Sequence, residues 1–217
     1  MEDTTILYYT SNQEDETFER KVRDNILENS GGLPIVSVSQ KPIDFGKNIC
    51  VGEQPYCEAS ALRQQLIGLQ AIDTKFAIAA ESDCLYPPEY FRFTPPTEDN
   101  VYRYTNVWVF TRWVGPRNKG LFWKKRFSEG AQTCGRDYWI ERLEYALQGV
   151  NGWEDVNDVW KLVFHTKDQY QWSGESPVIN VKDKSMRKYT TTSDQTADTL
   201  PFWGTTSQLR NKFNLIS

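Results

Sequence analysis

The sequence lacks any apolar run that approaches the roughly 20 residues needed for a membrane-spanning helix. It also lacks a basic excess, because its 217 residues carry a formal net charge of -4, which argues against a surface wholly devoted to nucleic acid. The four cysteines fit no CxxC-type metal spacing, and the N-terminus lacks the basic and then apolar pattern of a secretory signal. We therefore expect free thiols in a reducing compartment and a cytoplasmic protein.

Aromatic residues, in contrast, are abundant. The chain has eight Trp, eleven Tyr and eleven Phe residues. Rings beyond the needs of a core often line sugar, nucleotide or partner surfaces. The chain shows no internal repeat and no clean linker, and its length is near the upper end of what one hydrophobic core supports, so we expect a single domain over residues 1–217.

Strand and helix signals alternate along the first eighty residues. Residues 6–10 form a β-branched and aromatic run, residues 14–29 have apolar positions at helical spacing, and residues 34–39 are a second strand-like run. Strand, helix and strand in this order predict a βαβ unit with parallel strands. A second helix is predicted over residues 58–73 and an apolar strand over 75–80, so the fold class is α/β.

The other segments are less regular. Residues 41–56 contain Pro and Gly and are predicted to form a loop over the carboxyl ends of the strands, where ligands of open α/β sheets bind. Residues 101–104 and 107–110 alternate and suggest a hairpin, and residues 136–147 suggest an amphipathic helix. The tail after residue 172 is polar and rich in turn residues.

An acidic triplet, Glu81-Ser82-Asp83, directly follows the predicted strand over residues 75–80. A turn at the end of a strand lets two carboxylates converge on one hard cation, and such a cation neutralises the charge of a diphosphate. The same pattern also occurs at ordinary solvated strand ends. The context decides between these two interpretations.

That context resembles the GT-A glycosyltransferases, and most closely their inverting, family-2-like group. The resemblance is carried by a helix with an arginine, a strand that ends in an acidic motif and a proline-containing turn, which correspond to residues 60–69, 76–83 and 86–88. It covers roughly residues 4–165, and Glu81 departs from it because the family usually has Asp there. The resemblance implies a GT-A-like, Rossmann-type mixed sheet flanked by helices, with a nucleotide-sugar-binding half at about 1–95 and an acceptor half at about 96–217.

The resemblance also implies a set of site residues. A divalent cation, Mn²⁺ or Mg²⁺, would be held by Glu81 and Asp83, and His165 is a candidate third ligand, with Asp183 as its rival. The ordinary alternative for His165 is a packed or capping residue. The residues implied to bind the nucleotide-sugar donor are Thr10, Ser11, Asn12, Lys41, Asp44, Arg63 and Ser82. Arg63 would reach the diphosphate, unless it is an ordinary surface arginine in an ion pair.

An inverting transfer needs a carboxylate that takes the proton of the acceptor. Asp155 resembles this base in the family, although Glu154 and Asp155 could instead simply complement the positive end of a helix. Asp137 is the second candidate.

A basic and aromatic segment follows the predicted hairpin, and its candidate acceptor-binding residues are Arg112, Trp113, Arg117, Lys119, Trp123, Lys124, Lys125 and Arg126. It is either a solvated hairpin or a surface for an anionic acceptor, where cations meet phosphates and rings stack on bases. Small stand-alone proteins of this family include virus-encoded ones that glycosylate hydroxymethylated bases in DNA. The resemblance therefore implies a DNA acceptor, and the host cytoplasm if the chain is virus-encoded.

Other functions stay open from the sequence. The acceptor could be a glycan, a lipid-linked sugar met at the membrane surface, or a protein side chain. A nucleotidyltransferase would also use paired carboxylates and a metal, but it usually has a glycine-rich basic loop after the first strand, and residues 11–16 are acidic without glycine. A non-catalytic module that binds nucleotide sugars is the third possibility. The sequence does not determine the oligomeric state.

Overall fold

The computed structural model describes residues 3–112, 120–125, 128, 130–150, 152–153, 169–182 and 192–215. Its strands, in chain order, are β1 (Thr4–Thr10), β2 (Ile35–Ser39), β3 (Lys47–Cys50), β4 (Phe76–Glu81), β5 (Cys84–Leu85), β6 (Val101–Tyr104), β7 (Val107–Thr111), β8 (Phe122–Lys125), β9 (Gln132–Gly135), β10 (Gln169–Trp172), β11 (Val178–Lys182), β12 (Thr192–Ala197), β13 (Thr199–Leu200) and β14 (Gly204–Thr205). Its helices are α1 (Glu16–Asn29), α2 (Glu58–Gln70), α3 (Arg136–Ala146) and α4 (Thr206–Phe213), with a 3₁₀ turn at Tyr90–Arg92.

The first sheet is mixed and has the strand order β10-β6-β9-β4-β1-β2-β3. Strands β3, β2, β1 and β4 run parallel to one another, whereas β9 is antiparallel to both β4 and β6. The second sheet has the order β12-β8-β7-β11-β5, and β13 pairs with β14. The carboxyl ends of β1, β2 and β4 therefore lie at one edge of the first sheet.

The two faces of β1 belong to two hydrophobic clusters, because side chains alternate along a strand. Ile6 and Tyr8 join a cluster with α1, α4 and the second sheet. Leu7 and Tyr9 join the other cluster, which contains buried residues of α2 and α3. The mixed sheet is thus flanked by helices on both faces within a single domain, and the predicted α/β fold class is confirmed.

The helix and strand predictions for the first half are confirmed to within a few residues. Helix α1 begins after Asp15, whose carboxylate accepts a hydrogen bond from the backbone N of Phe18 at 3.0 Å and so caps the helix. Strand β1 is parallel to β2, as expected of a βαβ unit. Strand β4 ends at Glu81, so the acidic triplet does begin at the carboxyl end of a strand.

The loop predicted over residues 41–56 is wrong in part, because it contains β3. This strand is only partly buried, and among the described residues it lies at the edge of the first sheet and pairs with β2 alone. Asn48 donates hydrogen bonds to the hydroxyls of Ser37 and Ser39, both at 2.9 Å. A short edge strand with polar side chains lacks the alternating apolar pattern by which strands are found in a sequence.

The predicted hairpin is also wrong. Strands β6 and β7 belong to different sheets, and the chain crosses from one sheet to the other at Thr105 and Asn106. Their partners β10 and β11 cross beside them: Thr105 N donates to Trp172 O at 3.0 Å, and Val178 N donates to Asn106 O at 3.0 Å. Residues 101–104 and 107–110 do alternate in sequence, but the two strands do not pair with each other.

The tail after residue 172 contains more regular structure than its polar composition suggests. It supplies β11 to the second sheet, and α4 buries Leu209 and Phe213. The four cysteines are free, as predicted. No helix in the described ranges is long and apolar enough to cross a membrane.

Candidate functional site

The acidic pair lies where the chain passes from the first sheet to the second. Glu81 is the last residue of β4, and Asp83 directly precedes β5. One ligand atom each of Glu81, Asp83 and Cys84 lies within 4.8 Å of the others, and the two acidic residues are partly exposed. The turn at Ser82 thus makes the two carboxylates converge, and together with the thiol they form a group that could hold a metal ion.

The Glu81 side chain is held in one position by neighbouring strands. Tyr9 stands opposite Glu81 in the parallel pairing of β1 with β4, and its hydroxyl donates to Glu81 Oε1 at 2.7 Å. Gly130 packs against the other oxygen, because a Cβ atom at this position would lie 2.2 Å from Oε2. The Tyr86 hydroxyl accepts a bond from Glu81 N at 2.8 Å and donates to Gly130 O at 2.6 Å.

Asp83 is held by residues of β11. Lys182 forms an ion pair with Asp83 Oδ2. The Asn180 side chain donates to Asp83 Oδ1 at 2.9 Å, and the backbone N of Val181 donates to Asp83 O at 2.7 Å. Strand β11 therefore positions both the backbone and the carboxylate of Asp83.

A second lysine approaches the pair through Asn180. Lys125, the last residue of β8, donates to Asn180 Oδ1 at 3.2 Å and to Ser128 Oγ at 3.4 Å. The Asn180 amide therefore presents its oxygen to an ammonium and its nitrogen to the Asp83 carboxylate. Asn180 is only 1% exposed, so this bridge is fixed within the fold.

The two carboxylates titrate differently because their surroundings differ. Burial raises the pKa of Glu81, and repulsion by the Asp83 carboxylate adds to this shift. Burial also acts to raise the pKa of Asp83, but the charge of Lys182 and its hydrogen bond hold that pKa below its usual range. Asp83 is therefore the more strongly anionic member of the pair.

Cys84 contributes a protonated thiol to this group. Its sulfur lies 3.3 Å from Asp83 Oδ1 and 3.9 Å from Glu81 Oε2. Burial, followed by repulsion from these two carboxylates, raises the pKa of the thiol well above its usual value. Hard cations prefer oxygen ligands, so the carboxylates are the ligand set to consider.

The predicted donor loop after β1 lies at the same edge of the sheet. Asn12 has a positive φ of 53°, and its Oδ1 accepts from the backbone N atoms of Gln40 and Lys41 at 2.9 and 2.8 Å. The hydroxyl of Thr10, which is buried, donates to Glu19 Oε1 at 2.9 Å. The side chains of Thr10 and Asn12 thus shape the loop and join the ends of β1 and β2, while Ser11 is partly exposed.

The other predicted donor residues have different surroundings. Lys41 and Asp44 are exposed in the segment between β2 and β3. Arg63 is half-buried on α2 and donates to the carbonyl of Val150 at 2.6 Å, beyond the end of α3. This contact already uses one guanidinium nitrogen, so the proposed contact of Arg63 with a diphosphate stays a prediction.

Asp137, the second candidate for the base, lies far from the acidic pair along the sheet. It lies in the first turn of α3, which begins after Gly135, and Gly135 pairs with Phe76 at the amino end of β4. Glu81 is at the other end of that strand, about 16 Å away at ~3.3 Å per residue. Asp137 is exposed and forms an ion pair with Arg136, so its role as a base stays a prediction.

The described part of the basic segment is largely engaged within the protein. The Arg112 guanidinium lies 5.3 Å from the ring centroid of Phe18, and Lys124 donates to Thr105 O at 2.9 Å. Lys125 lies beside the acidic pair instead of on a separate acceptor surface. Trp123 is partly exposed on β8. The remaining predicted site residues lie outside the described residues: Trp113, Arg117, Lys119, Arg126, Asp155, His165 and its rival Asp183.

The sequence reasoning missed four contacts of the acidic pair. Tyr9, Gly130 and the pair Asn180 and Lys182 lie in three separate segments, and none belongs to a motif. Alternation in residues 178–182 would have indicated a strand and placed Asn180 and Lys182 on one face of it. That pattern would not have shown which strand or turn this face meets.

Comparison with known proteins complements this geometry. No family model and no curated protein matches the sequence. A similar solved structure is the crystal structure of a glycosyltransferase involved in the glycosylation of the major capsid of PBCV-1, with 14% identity, a TM-score of 0.48, and coverage of 80% of this chain and 83% of that chain. Its structural neighbours thus include a glycosyltransferase.

Two further neighbours have similar scores. S. aureus TarS 1-349 in complex with UDP-GlcNAc has 10% identity and a TM-score of 0.49, and 84% of this chain matches 59% of that chain. The 4-diphosphocytidyl-2C-methyl-D-erythritol synthase of Anaerococcus prevotii has 12% identity and a TM-score of 0.45, and the match covers 79% of this chain and 87% of that one. All three TM-scores lie below 0.5, so the functional proposal depends on the side chains of this chain.

Proposed function

We propose that this chain is a metal-dependent glycosyltransferase that moves a sugar from a nucleotide-sugar donor to an acceptor hydroxyl. The observation that carries the proposal is the convergence of Glu81 and Asp83 within 4.8 Å at the carboxyl end of a central strand. Ligands of open α/β sheets bind at this edge, so a nucleotide there would have its diphosphate near the two carboxylates.

The residues present suit a divalent cation in three respects. Two carboxylates supply the oxygen ligands that Mn²⁺ and Mg²⁺ prefer. Gly130 leaves the Glu81 carboxylate a space that any larger residue would fill. The ion pair between Lys182 and Asp83 indicates that the Asp83 carboxylate attracts positive charge. Glu81 and Asp83 would hold the ion, which when bound supplies charge neutralisation for a departing diphosphate.

The surrounding residues would position the donor. Tyr9 orients the Glu81 carboxylate, and Asn180 orients that of Asp83. The loop that Asn12 holds across the ends of β1 and β2 would carry the nucleoside, with Ser11 as a partly exposed contact. Asp155 remains the proposed base of an inverting transfer, with the proton passing from the acceptor hydroxyl to its carboxylate.

For the acceptor, we propose DNA that carries a hydroxymethylated base, on the strength of the basic segment in the sequence. A base inside a duplex is hard to reach, so flipping or access through a groove would be required. Binding to such DNA should fall steeply with salt, because phosphate contacts release counterions. An affinity for modified DNA that does not change with salt would remove this acceptor and leave a glycan or a lipid-linked sugar.

The proposal is tested by a donor hydrolysis screen. Several nucleotide sugars are incubated with the protein and Mn²⁺ or Mg²⁺, and release of the nucleoside diphosphate is measured. The wild type should hydrolyse one donor slowly. Asp83→Asn should hydrolyse it at least about 100-fold more slowly, because an uncharged amide is a poor ligand for a hard cation. Asp73→Asn is the matched control, since Asp73 is exposed near the amino end of β4.

The same screen separates the alternatives. Release of pyrophosphate from a nucleoside triphosphate would indicate a nucleotidyltransferase. Metal-independent donor binding that survives Asp83→Asn, without hydrolysis, would indicate a non-catalytic module. If no nucleotide sugar is bound or hydrolysed with any metal, the proposed function is wrong.

A further inference from the structure

Four charged groups balance one another at the candidate metal site. The carboxylates of Glu81 and Asp83 face the ammonium of Lys182, and Lys125 approaches from behind Asn180. With all four groups ionised, their summed charge is zero. A divalent cation alone would unbalance this cluster, whereas a cation together with the two negative charges of a diphosphate would not.

Lys182 is the movable member of this cluster. Asp83 has three donors, since Lys182 contacts Oδ2 while Asn180 and the Cys84 thiol contact Oδ1. Asn180 and Cys84 are buried and cannot leave, but the Lys182 side chain is 36% exposed and has four flexible methylene groups. A cation that binds Asp83 through Oδ2 would therefore displace the ammonium of Lys182.

The backbone already holds this junction without the ion pair. Val181 N donates to Asp83 O at 2.7 Å, and β5 pairs with β11 through Cys84 and Leu85. The backbone of Lys182 is itself anchored, because its carbonyl accepts from Arg112 N at 2.9 Å. A displaced ammonium would thus stay near the site, where it can pair with the diphosphate while the metal engages both carboxylates.

We propose that Lys182 couples metal binding to diphosphate binding. Its ammonium pairs with the Asp83 carboxylate when the metal is absent and pairs with the diphosphate when the metal is bound. This inference rests on the proposed function. Lys182 is a positioning residue that weakens binding of the metal alone and strengthens binding of the metal together with the donor. By linkage, the diphosphate must raise metal affinity by the same factor by which the metal raises diphosphate affinity.

The test compares Lys182→Met with wild type. Mn²⁺ is titrated by electron paramagnetic resonance, first alone and then with saturating UDP, GDP, ADP or CDP, whichever the wild type binds with Mn²⁺. Lys182→Met should bind Mn²⁺ alone about threefold to tenfold more tightly, because the competing ammonium is gone. The factor by which the nucleotide raises Mn²⁺ affinity should fall by a similar amount or more.

Lys75→Met is the matched control. Lys75 also pairs with a carboxylate, that of Glu98 at 3.3 Å, but both side chains are more than half exposed and lie near the amino end of β4. This variant should keep the wild-type Mn²⁺ affinity and coupling. Lys182→Arg retains the positive charge and should keep weak binding of Mn²⁺ alone. This variant separates the effect of the charge from that of the altered side-chain shape.

The outcomes distinguish the two proposals. If Lys182→Met binds Mn²⁺ alone no more tightly than wild type, or if its coupling factor is unchanged, the role of Lys182 is wrong while the metal site stands. If neither protein binds Mn²⁺ with or without a nucleotide, the metal-dependent function fails as well. A purely structural ion pair would lower the melting temperature of Lys182→Met without changing the coupling factor.

Discussion

Gly130 offers a way to disturb the candidate metal site without changing any ligand. A Cβ atom at this position would lie 2.2 Å from Glu81 Oε2 and 2.5 Å from Glu81 Cδ. The glycine does not have a positive φ, so alanine is compatible with the backbone. In Gly130→Ala, Oε2 must therefore move by at least about 1.2 Å to restore ordinary van der Waals separation.

The movement has a predictable consequence for Glu81. Its other oxygen accepts the Tyr9 hydroxyl at 2.7 Å, and a shift of this size would lengthen or break that bond. We expect Gly130→Ala to lower Mn²⁺ affinity by about 10-fold to 100-fold, as is typical when the support of a ligand is lost. The cost in free energy of unfolding should be no more than about 3 kcal/mol, the value of a hydrogen bond to a charged group.

Gly174→Ala is a matched control for this experiment. A Cβ atom at Gly174 would also lie 2.2 Å from a glutamate side chain, that of Glu89, whose carboxylate accepts from Ser176 N at 2.9 Å. This variant should lose stability but keep its Mn²⁺ affinity. Calorimetric titration and thermal unfolding measure both quantities, and wild-type Mn²⁺ affinity in Gly130→Ala would refute the assignment of Glu81 as a ligand.

Two further predictions concern the same edge of the sheet. Tyr9→Phe removes the hydroxyl that orients Glu81 and should weaken Mn²⁺ binding about tenfold, whereas Tyr102→Phe, whose hydroxyl contacts Thr97, should not. Burial raises the pKa of Glu19 from 4.5 to about 7, so the folded state binds more protons than the unfolded state between these values. The free energy of unfolding should then fall by about 3 kcal/mol as pH rises from 4.5 to 7, and chemical denaturation of Glu19→Gln should show this slope reduced. Equal slopes in the two proteins would contradict the burial argument.

Much of the first half of the fold was predictable because its signals are local. Helix α1 follows from apolar residues at helical spacing, and β4 from an apolar run, both of which depend on neighbours within a few residues. The position of Glu81 at the end of β4 followed directly from these boundaries.

The predictions failed where the local sequence pattern does not decide how a strand pairs. Residues 101–104 and 107–110 have the alternation of a hairpin, yet Thr105 and Asn106 form the crossing between two sheets. Alternation shows that a segment has two unlike faces, but it does not show which strand pairs with its edge. The polar edge strand β3 escaped prediction because it has no such alternation.

The amino-acid sequence by itself determined the α/β class, the parallel first strands and an acidic pair at a strand end. Only the tertiary structure decided what surrounds that pair. Lys182 lies 99 residues from Asp83 along the chain, and it reaches the carboxylate because β11 enters the second sheet beside β5. Such contacts depend on which strands pair across the whole molecule, whereas periodicity records only the faces of each segment.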